Sequence, residues 1–161
     1  MFQETNKQFK ETDRKIKELS NLFTGQWGKL VEALMAPGCL KLFRDRGIDV
    51  MRCHPNVTVE KENRKLLEID LLLINTGEIV VEEIKTTARK KDIDEHLDRI
   101  KKFKGFYPEY KTWKVYGAIG ALLYTENSDE YARENGFFVL KATGEGLVVM
   151  DNLPEFVPAV F

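Results

Sequence analysis

Apolar and polar positions in the N-terminal part of the chain recur with a seven-residue period. The first core position of this repeat is Phe2, Phe9, Ile16 and Phe23, and the second is Thr5, Thr12 and Leu19. Such a heptad pattern favours a left-handed coiled coil. We therefore expect residues 1–25 to form a coiled-coil oligomerisation helix that joins two copies of the chain through residues 1–24. A single amphipathic helix lying on its own domain is the alternative.

The pattern after residue 25 predicts one domain, 26–161, with an α/β fold. Helical spacing continues over 26–46, and we expect a kink or a short break at Pro37, because proline removes a backbone donor. The short turn at 75–77 contains Gly77 and predicts an antiparallel hairpin. The expected elements are strands at 48–60, 66–74 and 78–87, a helix at 92–107 capped by Asp92, a strand at 113–124, a helix at 128–135 capped by Ser128, and a hairpin at 137–150 with its turn at 143–145. Local hairpins followed by a helical crossover indicate a mixed central sheet flanked by helices on both faces.

Charged residues interrupt two of these strands. Strand alternation places Leu67, Ile69, Leu71 and Leu73 on one uninterrupted apolar face, so Asp70 points to the other. In the next strand Glu83 and Lys85 share a face, and pairing across the turn brings them beside Asp70. Two carboxylates and an ammonium group on one half-buried patch are costly unless something compensates the charge.

A divalent cation is the compensation that these residue types suggest. Carboxylate oxygens suit Mg²⁺ or Mn²⁺, so the predicted metal ligands are Asp70, Glu83 and the backbone carbonyl of Ile84. A metal-bound water can attack a phosphodiester. Lys85 would orient that water or neutralise charge on the phosphate.

The spacing of Asp70 and Glu83-Ile84-Lys85, with 12 residues between them, resembles the PD-(D/E)XK nuclease superfamily over about residues 26–150. This resemblance implies a restriction-endonuclease-like fold in which Asp70, Glu83 and Lys85 are catalytic. It also implies that Glu32, on the first helix, is an accessory acid that completes the metal site. The first motif residue is often preceded by proline in the superfamily, and here Ile69 precedes it. The heptads followed by residues 19–28 look similar to a prokaryotic subgroup of the superfamily.

Glu82 and His96 do not fit this pattern simply. Glu82 falls on the face of Val80 and Ile84, so we expect it to reach solvent at the sheet margin or to pair with a basic residue of a packing helix. A bulge that turns Glu82 instead of Glu83 towards the metal is the disfavoured alternative. We expect His96 on a solvated helix face with Arg99, and a contact with the phosphate backbone is the alternative.

Composition changes this picture little. The chain has 25 basic and 26 acidic residues and a formal net charge of -1, so it lacks the overall basic footprint of many nucleic-acid-binding domains. Contact with DNA would then depend on local clusters, and Arg89, Lys90 and Lys91 are candidate phosphate contacts; solvated surface is the alternative. The polar N-terminus, the absence of a long apolar run and two widely spaced cysteines indicate a cytoplasmic protein without a membrane span.

These features lead to one expected function and one alternative. The expected function is a Mg²⁺-dependent DNA endonuclease that hydrolyses phosphodiester bonds and acts as a homodimer, which suits cleavage of both strands. The alternative is a catalytically inactive DNA-binding or protein-assembly module on the same fold.

Overall fold

A computed structural model describes residues 2–143 and 147–161, with the backbone alone at residues 23 and 24. The predicted turn at 143–145 therefore lies mostly outside the described residues. The chain divides into two compact units, the first ending at Leu30 and the second comprising Val31–Phe161. The elements are α1 (Phe2–Asp45), β1 (Arg52–Lys61), β2 (Arg64–Ile74), β3 (Glu78–Ala88), α2 (Lys90–Phe106), a 3-10 turn (Pro108–Tyr110), β4 (Lys114–Tyr124), α3 (Ser128–Glu134), β5 (Phe138–Ala142) and β6 (Val148–Met150).

The six strands form one mixed sheet in the order β1-β2-β3-β4-β5-β6. The first three strands are an antiparallel meander. β4 and β5 then join in parallel, because the helices α2 and α3 carry the chain back across the sheet. β6 closes the sheet as the antiparallel partner of β5. The predicted α/β fold with a mixed central sheet is confirmed.

Each face of the sheet is covered by helix. On one face Ile93, Ile100 and Phe103 of α2 pack against strand residues such as Val81 and Ile119. The other face receives residues of α1 at four-residue spacing, namely Val31, Met35, Cys39 and Phe43. Full burial of each large apolar side chain contributes about 1.5–3 kcal/mol, so both layers help to fix the sheet. We call these the α2 side and the α1 side.

The helices differ in three places from those predicted. α1 is one helix that continues through Pro37. The helix has no break at this proline, although a kink or a short break was expected there. Met35 and Cys39, on either side of the proline, are both fully buried, so packing against the sheet holds the helix together. α2 begins at Lys90, and Asp92 caps it from inside the first turn by accepting the Arg89 N–H at 2.8 Å.

α3 begins at the predicted residue but with a different cap. The residue before it is Asn127, whose backbone is left-handed with φ 54°. The Ser128 hydroxyl does not cap the helix and instead donates to the carbonyl of Ala88 at 2.8 Å. This bond joins the start of α3 to the end of β3.

The part of α1 before Leu30 carries its apolar positions on the surface. Phe2, Phe9, Ile16 and Leu19 are 91%, 73%, 60% and 67% exposed. Charged side chains on the same unit pair along the helix at i,i+4 spacing, as in Lys15 with Glu11. None of the described helices combines the length and the apolar character needed to cross a membrane.

Candidate active site

Asp70 lies where β2 and β3 separate. The antiparallel pairing of these strands ends at the pair Leu71–Glu82, and Asp70 is the next β2 residue. Its carboxylate accepts a hydrogen bond from the backbone N–H of Ile84 at 2.8 Å. The Asp70 side chain therefore takes the place of a backbone hydrogen-bond acceptor for Ile84. We call this place, where β2 and β3 separate, the fork, and define it as Asp70 together with residues 83–85.

The pairing of β1 with β2 also skips Asp70. Pro55 pairs with Leu71 and Val57 pairs with Ile69 in the same register, but Asn56 and Asp70 between them are not paired. Asn56 has a left-handed φ of 52°. The buried face of β2 changes at this point. Leu67 and Ile69 belong to the core on the α2 side, whereas Leu71 and Leu73 belong to the core on the α1 side. The expected uninterrupted apolar face is therefore wrong, because strict alternation holds only along a regular strand.

Glu83 is held by two cations. The Nζ of Lys85 lies 3.1 Å from its Oε1, and Nη1 of Arg99 lies 2.5 Å from its Oε2. Lys85 also lies 4.0 Å from Oδ1 of Asp92. Burial lowers the pKa of Lys85, but the charge and hydrogen bond of Glu83, together with the charges of Asp92 and Asp70, outweigh it and the net shift is upward. Lys85 therefore stays protonated beside Glu83.

α2 presents a polar stripe, Asp92, His96 and Arg99, to β3. His96 is 1% exposed, and its Nε2 lies 3.1 Å from the carbonyl oxygen of Val81. Burial lowers the His96 pKa to about 4. The expected solvated face for His96 is therefore wrong, and so is the grouping of Arg99 with free surface charges.

Helical spacing already contained a signal for this stripe. His96 lies three residues after Ile93 and four before Ile100, and both of those residues are fully or almost fully buried. Residues at these separations share a helix face. A polar side chain flanked in this way is expected beneath the helix, where only a partner on the sheet can satisfy it.

Glu82 is on the α1 side of the sheet and is 0% exposed. Its Oε1 lies 3.7 Å from Sγ of Cys39, and Oε2 has no hydrogen-bond partner among the described residues. Burial raises the Glu82 pKa to about 8, and the charge of Asp70 acts in the same direction. Both expectations for Glu82, solvent exposure and pairing with a basic residue, are wrong.

Burial and neighbouring charges together raise the pKa of Asp70 to about 7. Burial is the largest cause, and the charge of Glu83 is the next. Glu32, half-buried on α1, also raises it, while the Ile84 N–H and Lys85 lower it. The positive groups present thus leave part of the repulsion between carboxylates uncompensated.

The donor set at the fork fits a hydrated divalent ion better than a fully protein-bound one. Within residues 2–143 and 147–161, no group of three or more His, Cys, Asp or Glu side chains is arranged to hold a metal ion. Mg²⁺ commonly takes one or two carboxylates and keeps several waters. The raised pKa of Asp70 indicates that added positive charge would stabilise its ionised form.

Two surfaces adjoin the fork. Arg89, Lys90 and Lys91 are exposed at the start of α2, and Nζ of Lys90 lies 5.5 Å from the ring centre of Tyr131. A groove of about 390 Å³ runs between the first part of β2 and α2. Its lining is Lys65, Leu66, Leu67, Glu68, Glu95, Asp98, Arg99, Lys102 and Phe106. Arg99 thus belongs both to the groove and to the fork.

The fold and this cluster define an α/β domain with a partly buried acid–lysine site at a fork in its sheet. The chain belongs to the family described as a domain of unknown function, DUF8196, whose model matches residues 41–148. That region contains Asp70, Glu83 and Lys85 but not Glu32.

Comparisons with individual proteins add little. No curated protein matches the sequence. The crystal structure of a repair endonuclease from Pyrococcus abyssi is similar at 19% identity and a TM-score of 0.40, over 65% of this chain and 44% of that one. The chain therefore spans less than half of that protein, and a likeness of this degree carries no weight for function.

Proposed function

We propose that the protein is a Mg²⁺- or Mn²⁺-dependent nuclease that hydrolyses phosphodiester bonds in DNA. The observation that carries this proposal is the convergence of Asp70, Glu83 and Lys85 at the fork, where the Asp70 pKa is raised to about 7. Paired carboxylates with uncompensated repulsion favour a cation that prefers oxygen ligands. The order of helix, three-strand meander, helix and parallel strand is also the one that the resemblance to PD-(D/E)XK nucleases implies.

Each residue at the fork has a role in this proposal. Asp70 and Glu83 would hold the metal together with the carbonyl of Ile84, and Glu32 would be an accessory acid. The metal would supply Lewis acidity and a water of lowered pKa. Lys85, kept protonated beside Glu83, would orient the attacking water or neutralise charge on the phosphate. The exposed cluster of residues 89–91 would contact the DNA backbone.

Cleavage of plasmid and branched DNA in Mg²⁺ or Mn²⁺ tests the proposal. We expect Lys85→Ala to lower the rate by about a hundredfold or more. Lys114→Ala, which changes an exposed lysine at the start of β4, should leave it unchanged. Equal cleavage by wild type and Lys85→Ala would overturn the mechanism. Salt-sensitive DNA binding that ignores metal and survives Glu83→Ala would instead indicate a non-catalytic DNA-binding module.

We also propose that two copies associate through the N-terminal helix. The seam of Phe2, Phe9, Ile16 and Leu19 is at least 60% exposed throughout, and an isolated helix gains little stability without burying a face. A heptad seam fits an identical seam on a second copy. Sedimentation should show a smaller species for Ile16→Glu and an unchanged one for Lys10→Glu. An unchanged mass for both would contradict association through this seam.

A further inference from the structure

Glu83 is already paired with two cations of the protein. Both oxygens of Glu83 are contacted by protein cations, Lys85 on one and Arg99 on the other. Asp92, with its Oδ1 4.0 Å from Lys85, and Asp70 are further acidic groups near Lys85. The side chains of Glu83, Arg99 and Lys85 are 8%, 25% and 35% exposed, so water screens these charges only in part.

We propose that Arg99 makes divalent-cation binding at the fork depend on the phosphate of the substrate, an inference that rests on the proposed nuclease function. A divalent ion that binds Glu83 must compete with Lys85 and Arg99 for the two carboxylate oxygens and is repelled by their positive charges. A phosphate anion bound at the same place reduces that repulsion and attracts the guanidinium of Arg99. Arg99 therefore weakens binding of the ion alone and strengthens binding of ion and phosphate together.

The position of Arg99 fits this role. The same nitrogen that contacts Glu83, Nη1, also lies 3.5 Å from Nδ1 of the buried His96. The remainder of the side chain lines the groove beside α2. Arg99 therefore connects the carboxylate that would bind the ion with a surface that solvent reaches.

The groove does not attract phosphate by its own charge. Its basic residues are matched by acidic ones: Lys65, Arg99 and Lys102 against Glu68, Glu95 and Asp98. Lys65 and Glu68 are moreover paired at 3.0 Å. An anion would consequently be favoured there mainly after a divalent ion has added positive charge at the fork, which is the order of dependence that we infer.

Calorimetric titration of the intact protein with Mn²⁺ tests the first part. We expect Arg99→Gln to bind Mn²⁺ about tenfold more tightly than wild type, because one positive charge is removed from the cluster. Arg99→Lys keeps the charge and should resemble wild type. Lys102→Gln removes a charge from the same groove without a contact to Glu83 and is the matched control. Thermal melting of each variant shows whether it is folded.

Two results would count against this inference in different ways. Mn²⁺ affinity that is unchanged or weaker in folded Arg99→Gln would overturn the role of Arg99 alone. Failure of wild type and every variant to bind Mn²⁺ would overturn the proposed nuclease function and the inference with it.

A second titration tests the coupling to phosphate. Ca²⁺ takes the same oxygen ligands, and its affinity can be measured with and without a short DNA duplex. We expect the duplex to raise Ca²⁺ affinity in wild type and in Arg99→Lys, and to raise it about tenfold less in Arg99→Gln. An equal increase in all three proteins would contradict the coupling.

Discussion

Replacing Glu82 by glutamine should change the stability in favour of the variant, relative to wild type, by an amount that grows with pH. The carboxyl group is 0% exposed, and one of its oxygens has no partner among the described residues. Burial raises its pKa from an ordinary value of 4.5 to about 8. The folded protein therefore holds a proton on Glu82 over a pH range in which the unfolded chain has released it.

The sign and size of the effect follow from this difference in pKa. Below pH 4.5 the carboxyl is protonated in both states and does not affect stability, whereas from 4.5 to about 8 the unfolded state alone becomes ionised. Stability then falls as pH rises, by about 1.4 kcal/mol per pH unit. Across the whole interval the loss is on the order of 5 kcal/mol, an upper bound that relaxation around the ionised group reduces. Glutamine has a similar shape and does not titrate, so this loss is absent in the variant.

The free energy of unfolding of wild type and Glu82→Gln can be measured by urea denaturation followed by circular dichroism. The measurement is repeated at several pH values between the pKa of Glu82 in the unfolded chain and its pKa in the folded protein. The difference between the two curves isolates Glu82 from His96 and Asp70, which titrate in the same range. A constant offset is expected as well, because a buried amide that lacks partners costs about 1–3 kcal/mol. Glu95→Gln, at an exposed residue of α2, is the control. Parallel curves, with a difference independent of pH, would refute the assignment of a protonated Glu82.

Two further predictions concern the fork and the core. Burial is the largest cause of the raised pKa of Asp70, and the charge of Glu83 is the second. Glu83→Gln removes that charge, so the pKa of Asp70 should fall from about 7 towards its ordinary value of 3.8. Carboxyl carbon NMR shifts measure this pKa, and an unchanged value would contradict the coupling. Gly117→Ala places a Cβ 2.5 Å from the ring of the fully buried Phe137, so it should lower the free energy of unfolding by about 1–3 kcal/mol. Gly105→Ala has nothing within 4 Å, and in the same urea measurement it should be neutral or stabilising by up to about 1 kcal/mol.

Local signals in the sequence predicted most of the fold. The turn at 75–77 placed the hairpin of β2 and β3 correctly, because Asn75 accepts the N–H groups of Gly77 and Glu78 at 2.8 and 2.6 Å, a local turn that depends on residue type. The parallel addition of β4 followed from the helix between the strands. The continuity of α1 through Pro37 did not follow, since it depends on contacts with the sheet.

The sequence did not reveal the irregular backbone opposite Asp70. Asparagine tolerates a left-handed φ better than most residues, but nothing in the chain marks Asn56, with its φ of 52°, as the residue that adopts it. The change of buried face along β2 follows from that irregularity. Strand alternation therefore identified Asp70 as a site residue for a reason that the structure does not support. Asp70 does not lie on a regular polar face; it lies where the pairing of β2 with its neighbouring strands is interrupted.

Glu82 and Glu83 show why the choice between neighbouring acids needs the structure. Because side chains alternate along β3, the two glutamates lie on opposite faces of the sheet. Glu82 lies beneath α1, beside Cys39, and Glu83 lies beside Arg99 of α2. Glu83 has a protein cation on each oxygen, whereas Glu82 has a thiol on one side and a raised pKa of about 8. A divalent ion that keeps several waters has no room beside Glu82, which is 0% exposed. Of the two glutamates, Glu83 is therefore the one that fits metal binding, and the bulged arrangement that would direct Glu82 to the metal is disfavoured by the environment of Glu82 itself.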